Sequence, residues 1–115
     1  MNLIFVYNAD SGPINTLFNI AHKAISPSTY QCDLCFLTHG TFAEKDAWKA
    51  FRETTNLDLE FLHKDQFEER YGLSFSYPLI LEKADGLSVF LSAESISQIG
   101  NVADLITRIE RQVPE

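Results

Sequence analysis

The chain has 115 residues, a formal net charge of -7, 45% apolar residues and 22% charged residues. That length fits one domain spanning residues 1–115, with enough chain to bury a core without staples. The acidic balance argues against nucleic acid, whose binding needs a Lys/Arg-rich face, and against an anionic membrane surface.

Leu3-Ile4-Phe5-Val6-Tyr7 is short, apolar and rich in β-formers, and reads as a buried strand. No basic residue precedes it and Asn8 ends it too soon for a signal peptide. No stretch approaches the length of a membrane span. The expected location is therefore a reducing cytoplasm.

Asp10 or Ser11 can cap a helix, and Pro13 suits its first turn, where a missing N–H costs nothing. Ile14, Leu17, Phe18, Ala21 and Ile25 follow at helical spacing, and Ser26-Pro27-Ser28 ends the helix. Cys32 to Thr38 is again short and apolar, which predicts a second strand, broken by Gly40. Thr41 and Glu44 have capping-box spacing for a second helix, which carries Ala47, Trp48 and Phe51 inward.

Leu57, Leu59 and Phe61 alternate with Asp58 and Glu60, the pattern of a third strand. Asp65 and Glu68 repeat the capping spacing for a short helix, with Phe67 and Tyr71 four apart and Gly72 as its stop. Leu79 to Lys83 and Leu87 to Ser92 form strands around an Asp85-Gly86 turn. Asn101 caps a last helix with Val102, Leu105, Ile106, Ile109 and Val113 on its inner face. The predicted order is β-α-β-α-β-α-β-β-α, with the first three strands parallel and the hairpin antiparallel.

The run from Leu57 to Gly72, followed by Tyr77-Pro78-Leu79-Ile80-Leu81, Asp85-Gly86 and the last helix, resembles the thioredoxin family. It matches that family's sequence of strand, short helix ending in Tyr-Gly, proline, strand, turn, strand and helix. The resemblance implies an α/β fold, a thioredoxin-like three-layer sandwich with a mixed β-sheet and helices on both faces. It also implies that Pro78 is the cis proline that faces the active cysteines.

The family's Cys-x-x-Cys sits where the second strand turns into the second helix, and here that place holds Thr38-His39-Gly40-Thr41. If the first strand is equated with the catalytic strand, the motif position holds Ser11-Gly12-Pro13-Ile14, an echo of Cys-Gly-Pro-Cys without its cysteines. Neither alignment puts Cys32-Asp33-Leu34-Cys35 at the usual place.

Cys32 and Cys35 are the two cysteines of the chain and its candidate catalytic residues. In a reducing compartment a close pair is more often catalytic, redox-sensing or metal-binding than a structural disulfide. A turn or helix start puts the two sulfurs on one face, whereas an extended strand puts them on opposite faces. Buried, unreactive thiols explain the same residues. If the pair is active, Cys32 is the expected attacking thiol: it lies nearer the polar Ser-Pro-Ser-Thr loop and His22, whereas Phe36 and Leu37 follow Cys35.

His22, Cys32 and Cys35, with His39, have the ligand types of a Cys2His2 zinc site, but not a finger's spacing. Zinc is the one cofactor the residues suggest. An extended stretch from Cys32 would carry His39 to the opposite end of the sheet.

The carboxyl ends of the parallel strands are where α/β proteins place ligands. That end gathers Asp10, Ser11, His39, Thr41 and Pro78, with Asn8 and Tyr77 beside them, and two helix starts suited to an anion. Plain capping also explains Asp10, Ser11 and Thr41. His63 is expected in a solvent-facing loop.

Two classes of function follow. One is a small thiol protein, redox-sensing or oxidoreductase-like. The other is a non-catalytic module that binds a protein or small molecule, or a metal held by Cys and His.

Overall fold

The computed structural model describes residues 2–8, 33–38 and 44–112. Strands β1 (Asn2–Tyr7), β2 (Asp58–His63), β3 (Leu79–Lys83) and β4 (Leu87–Leu91) form one mixed sheet in the order β2-β1-β3-β4. β1 and β2 are parallel, in register from Asn2↔Asp58 to Tyr7↔His63. β3 is antiparallel both to β1, through pairs such as Val6↔Leu79, and to β4. β3 therefore runs against the other three strands.

Leu3, Ile4, Phe5 and Val6 are all buried, because β1 is central and covered on both faces. A strand in that position has no solvent side, so its sequence is a continuous apolar run rather than an alternation. On one face, Leu3, Phe5, Ile80 and Leu91 pack with Leu34, Leu37, Trp48, Ile96, Leu105 and Ile109. On the other, Ile4, Val6, Leu62, Leu79 and Leu81 pack with Phe67.

The helices follow from these faces. α1 (Asp33–Thr38) and α2 (Asp46–Thr54) supply Leu34, Leu37 and Trp48 to the first cluster. α3 (Lys64–Tyr71) supplies Phe67 to the second. α4 (Ala93–Ser97) and α5 (Val102–Gln112) return to the first with Ile96, Leu105 and Ile109. The chain is thus an α/β fold with apolar helix faces against both sides of the sheet.

Several predicted features hold. The Leu3–Tyr7 and Leu57–Leu62 segments pair in parallel. Gly72 ends α3 in the left-handed conformation at φ 67°, and its N–H donates to the Glu68 carbonyl at 2.9 Å. Asn101 caps α5 by accepting the Asp104 N–H at 2.9 Å. The Tyr77–Pro78 peptide bond is cis.

Other features are corrected. The predicted strand from Cys32 to Thr38 is a helix over Asp33–Thr38. Its buried positions, Leu34, Leu37 and Thr38, are three and four apart, and the Thr38 hydroxyl donates back to the Leu34 carbonyl at 2.9 Å. The described order is therefore β-α-α-β-α-β-β-α-α, with two parallel strands, not three, ahead of the hairpin.

The Thr41–Glu44 capping box does not form as predicted. α2 begins at Asp46 with Lys45 at its N-cap, and the Glu44 carboxylate instead accepts from Arg52. Trp48 is buried and Phe51 half-buried, but Ala47 is exposed. α3 is capped two residues earlier than expected, at His63 rather than Asp65, and the Gln66 side chain accepts the His63 backbone N–H at 3.0 Å. His63 is accordingly the half-buried last residue of β2 rather than a solvent-facing loop residue. The short helix α4, capped by the Ser92 hydroxyl, was not predicted.

Candidate functional site

Sheet register decides what meets at the end of the strands. Tyr7 ends β1 opposite His63, which ends β2, and Pro78 immediately precedes β3, whose Leu79 pairs with Val6. Tyr7, Asn8, His63, Tyr77 and Pro78 therefore lie at one end of the sheet. The Tyr7 ring is nearly parallel to Phe61, with centroids 6.3 Å apart, and lies 6.4 Å from the His63 ring.

Tyr7 also ties this end to α1. Its phenol is hydrogen-bonded to the side chain of Thr38, the last residue of α1. Thr38 is fully buried, and its carbonyl accepts the Lys45 N–H at 2.9 Å, just ahead of α2. A buried hydroxyl must be hydrogen-bonded to avoid a desolvation cost, and Thr38 meets that requirement.

Burial pushes the Tyr7 phenol up to about 12. The Thr38 hydrogen bond pulls it back, while the nearby charges of Glu44 and Arg52 act upward and downward respectively. Tyr7 is thus a neutral phenol at any physiological pH. Beside it, Arg52 grips Glu44 with two parallel bonds of 2.9 Å each, from Nε and Nη2. Such a fork fixes both side chains in one plane.

On the far side of Pro78, the Tyr77 phenol donates to Glu68 Oε2 at 2.8 Å, and Ser74 donates to the same oxygen at 3.0 Å. Burial first, and then the bond to the Glu68 carboxylate, raise the Tyr77 phenol above its ordinary value. These bonds pin the segment between α3 and Pro78.

Of the candidate ligand residues, Pro78 is buried at the sheet end. Asp10, Ser11, His39 and Thr41 lie outside the described residues, as do His22 and Cys32 of the candidate zinc set. Cys35 lies in α1. Among the described residues no three His, Cys, Asp or Glu side chains gather as a metal site would require. The inferred separation of Cys32 from His39 also loses its basis, since Asp33–Thr38 spans about 9 Å as a helix, not about 20 Å as a strand.

Tyr7 and Thr38 were not among the predicted site residues. The available signal was parity: Tyr7 shares a strand face with Leu3 and Phe5, at the end where β1 leaves the core. Thr38 is the polar residue closing an otherwise apolar run. Comparison of the chain with protein families, with curated proteins and with solved structures finds no match.

Proposed function

We propose that the protein is a small thioredoxin-like thiol protein of the cytoplasm, in which Cys32 and Cys35 interconvert between a dithiol and an intramolecular disulfide. The observation that carries this reading is the helical backbone of Asp33–Thr38, which begins at the residue after Cys32 and includes Cys35. Positions three apart lie on one face of a helix, within disulfide reach, whereas an extended backbone directs them apart. Cys-x-x-Cys pairs in such settings lower a thiol pKa and exchange readily.

The sheet order, with β3 antiparallel to its companions and helices against both faces, supports the thioredoxin-like reading. On this reading β1, which lies beside the strand after Pro78, corresponds to the family's catalytic strand. The family's motif position then falls at Ser11-Gly12-Pro13-Ile14, without cysteines, and the exchange chemistry has moved to α1.

The reaction is thiol–disulfide exchange with a disulfide-bearing partner. One cysteine thiolate attacks a partner sulfur and releases one partner thiol. The second cysteine thiolate attacks the mixed disulfide and releases the other. The protein loses two electrons and two protons, and the partner disulfide gains them.

A second reading, a non-catalytic binding module, is favoured by the meeting of Tyr7, His63 and Pro78 at the end of the sheet. Thiol titration of the native protein with and without reductant separates the two. Two thiols that titrate after reduction and vanish after mild oxidation support the exchange protein. Two slow thiols indifferent to reductant leave the binding module.

A further inference from the structure

We propose that the open edge of β4 docks a second copy of this chain. Two β4 strands pair antiparallel about a twofold axis through Ser88, which joins two four-stranded sheets into one continuous sheet.

A strand at a sheet edge carries a row of backbone N–H and C=O groups with no strand to receive them. Among the described residues β2 and β4 are the two edges, and they are not alike. β2 carries Asp58 and Glu60, and Glu60 is bridged to Arg70 of α3. Charges along an edge discourage a second strand. β4 is Leu87-Ser88-Val89-Phe90-Leu91, with no charge and no proline. Ser88 and Val89 are exposed, Val89 to 51%. Although the chain has a net charge of -7, a copy can approach this strand without like charges meeting along the seam.

The register follows from the faces of β4. Directly opposed residues of paired strands share a face. Val89 lies opposite Leu81 and Leu87 opposite Lys83, so both are on the face that carries Leu81 and α3. The pairing shifts between Ile80 and Leu81, which leaves Phe90 as an extra residue, and Phe90 and Leu91 both pack with the first cluster. The regular stretch therefore ends at Val89. The register that pairs both apolar residues of the α3 face sets Leu87 of one strand opposite Val89 of the other, and by symmetry the reverse. Ser88 then stands opposite its own copy. Cross-strand apolar pairs are what stabilise a sheet, and this register makes two of them across the axis. A register centred on Val89 would instead set Leu87 opposite Leu91, which faces the other side.

β4 has five residues. Strands that short bury less than the roughly 1,200 Å² of a stable complex, so the pair is non-covalent and reversible, with a dissociation constant on the order of 0.1 mM.

The test is sedimentation equilibrium in reductant, so that no disulfide between chains contributes, with amide hydrogen exchange at low and high protein concentration. The weight-average mass is expected to rise from one chain toward two, and the exchange slowed at high concentration to be confined to amides of β4. Val89→Lys, which replaces an exposed side chain with a charge at the seam, is expected to weaken association about tenfold and to leave the urea midpoint near wild type. Leu73→Lys, at the other exposed large apolar residue, is expected to change neither. A chain that stays monomeric at its highest soluble concentration overturns the proposal, as does association that Val89→Lys leaves intact. Slowing of β4 amides in a monomeric chain by a lysine-flanked peptide carrying Leu87–Leu91 would give the edge to an extended peptide instead, and would also overturn it.

Discussion

Tyr7 couples burial to ionisation. Its phenol is raised from 10.0 to about 12 in the folded chain, chiefly by desolvation. A group whose folded pKa lies above its unfolded one contributes stability that is complete below the unfolded value and is lost as pH rises through the folded one. Stability is therefore expected to be flat up to about pH 10 and to fall by about 2–3 kcal/mol by about pH 12. Urea unfolding across that window checks it, and Tyr7→Phe should flatten the decline. On the proposed thiol-exchange reading, an order of attack within the cysteine pair is expected at the same scale. Cys35 lies in α1 and is followed in sequence by the apolar Phe36 and Leu37. Cys32 precedes the helix and is nearer in sequence to His22, whose protonated ring would favour a thiolate. Limiting iodoacetamide followed by mass spectrometry is expected to label Cys32 first, and His22→Ala to slow that labelling. Predominant labelling of Cys35 would remove the assignment.

Elements with a strong local signature were legible in the sequence. β2 shows alternation, the last helix carries a 3.6-residue apolar stripe behind Asn101, and the hairpin turns at Asp85-Gly86. α3 ends where glycine permits the left-handed conformation. At Gly72 nothing lies within 4 Å of where a Cβ would be added, so a substitution meets only the backbone cost of φ 67°. Gly72→Ala is therefore expected to destabilise the chain by about 1 kcal/mol in chemical denaturation. A loss near zero would mean that the helix end relaxes to another conformation. α1 was not legible as a helix, since a seven-residue apolar run from Cys32 to Thr38 satisfies a buried strand and a short buried helix equally. Tertiary packing of Leu34 and Leu37 decides between them. The helix starts were misplaced for a related reason. Thr41–Glu44 and Asp65–Glu68 have the spacing of capping boxes, but the carboxylate of Glu44 finds Arg52, that of Glu68 finds Tyr77 and Ser74, and Gln66 closes the cap on His63.

At the scale of the whole molecule, the parallel β1–β2 pair and the antiparallel β3–β4 addition follow from connection lengths that leave room for crossover helices in one case and a tight turn in the other. Burial of both faces of β1 then places the carboxyl ends of β1 and β2 and the start of β3 together. The sequence predicts a ligand pole at that end and places Asn8, Tyr77 and Pro78 there, but not Tyr7, Thr38 or His63. Their roles depend on register and on the helical state of α1, neither of which is written in local spacing. The same helical state places Cys35 one turn before Thr38, and the proposed Cys32–Cys35 exchange rests on it. The most direct measurement is intact mass after equilibration with glutathione disulfide and quenching with excess iodoacetamide, compared with the fully reduced protein. The account predicts a monomer with neither cysteine alkylated after oxidation, mapped by peptide analysis to a Cys32–Cys35 bond, and both cysteines alkylated after reduction. Equal alkylation of both cysteines before and after oxidation would contradict it.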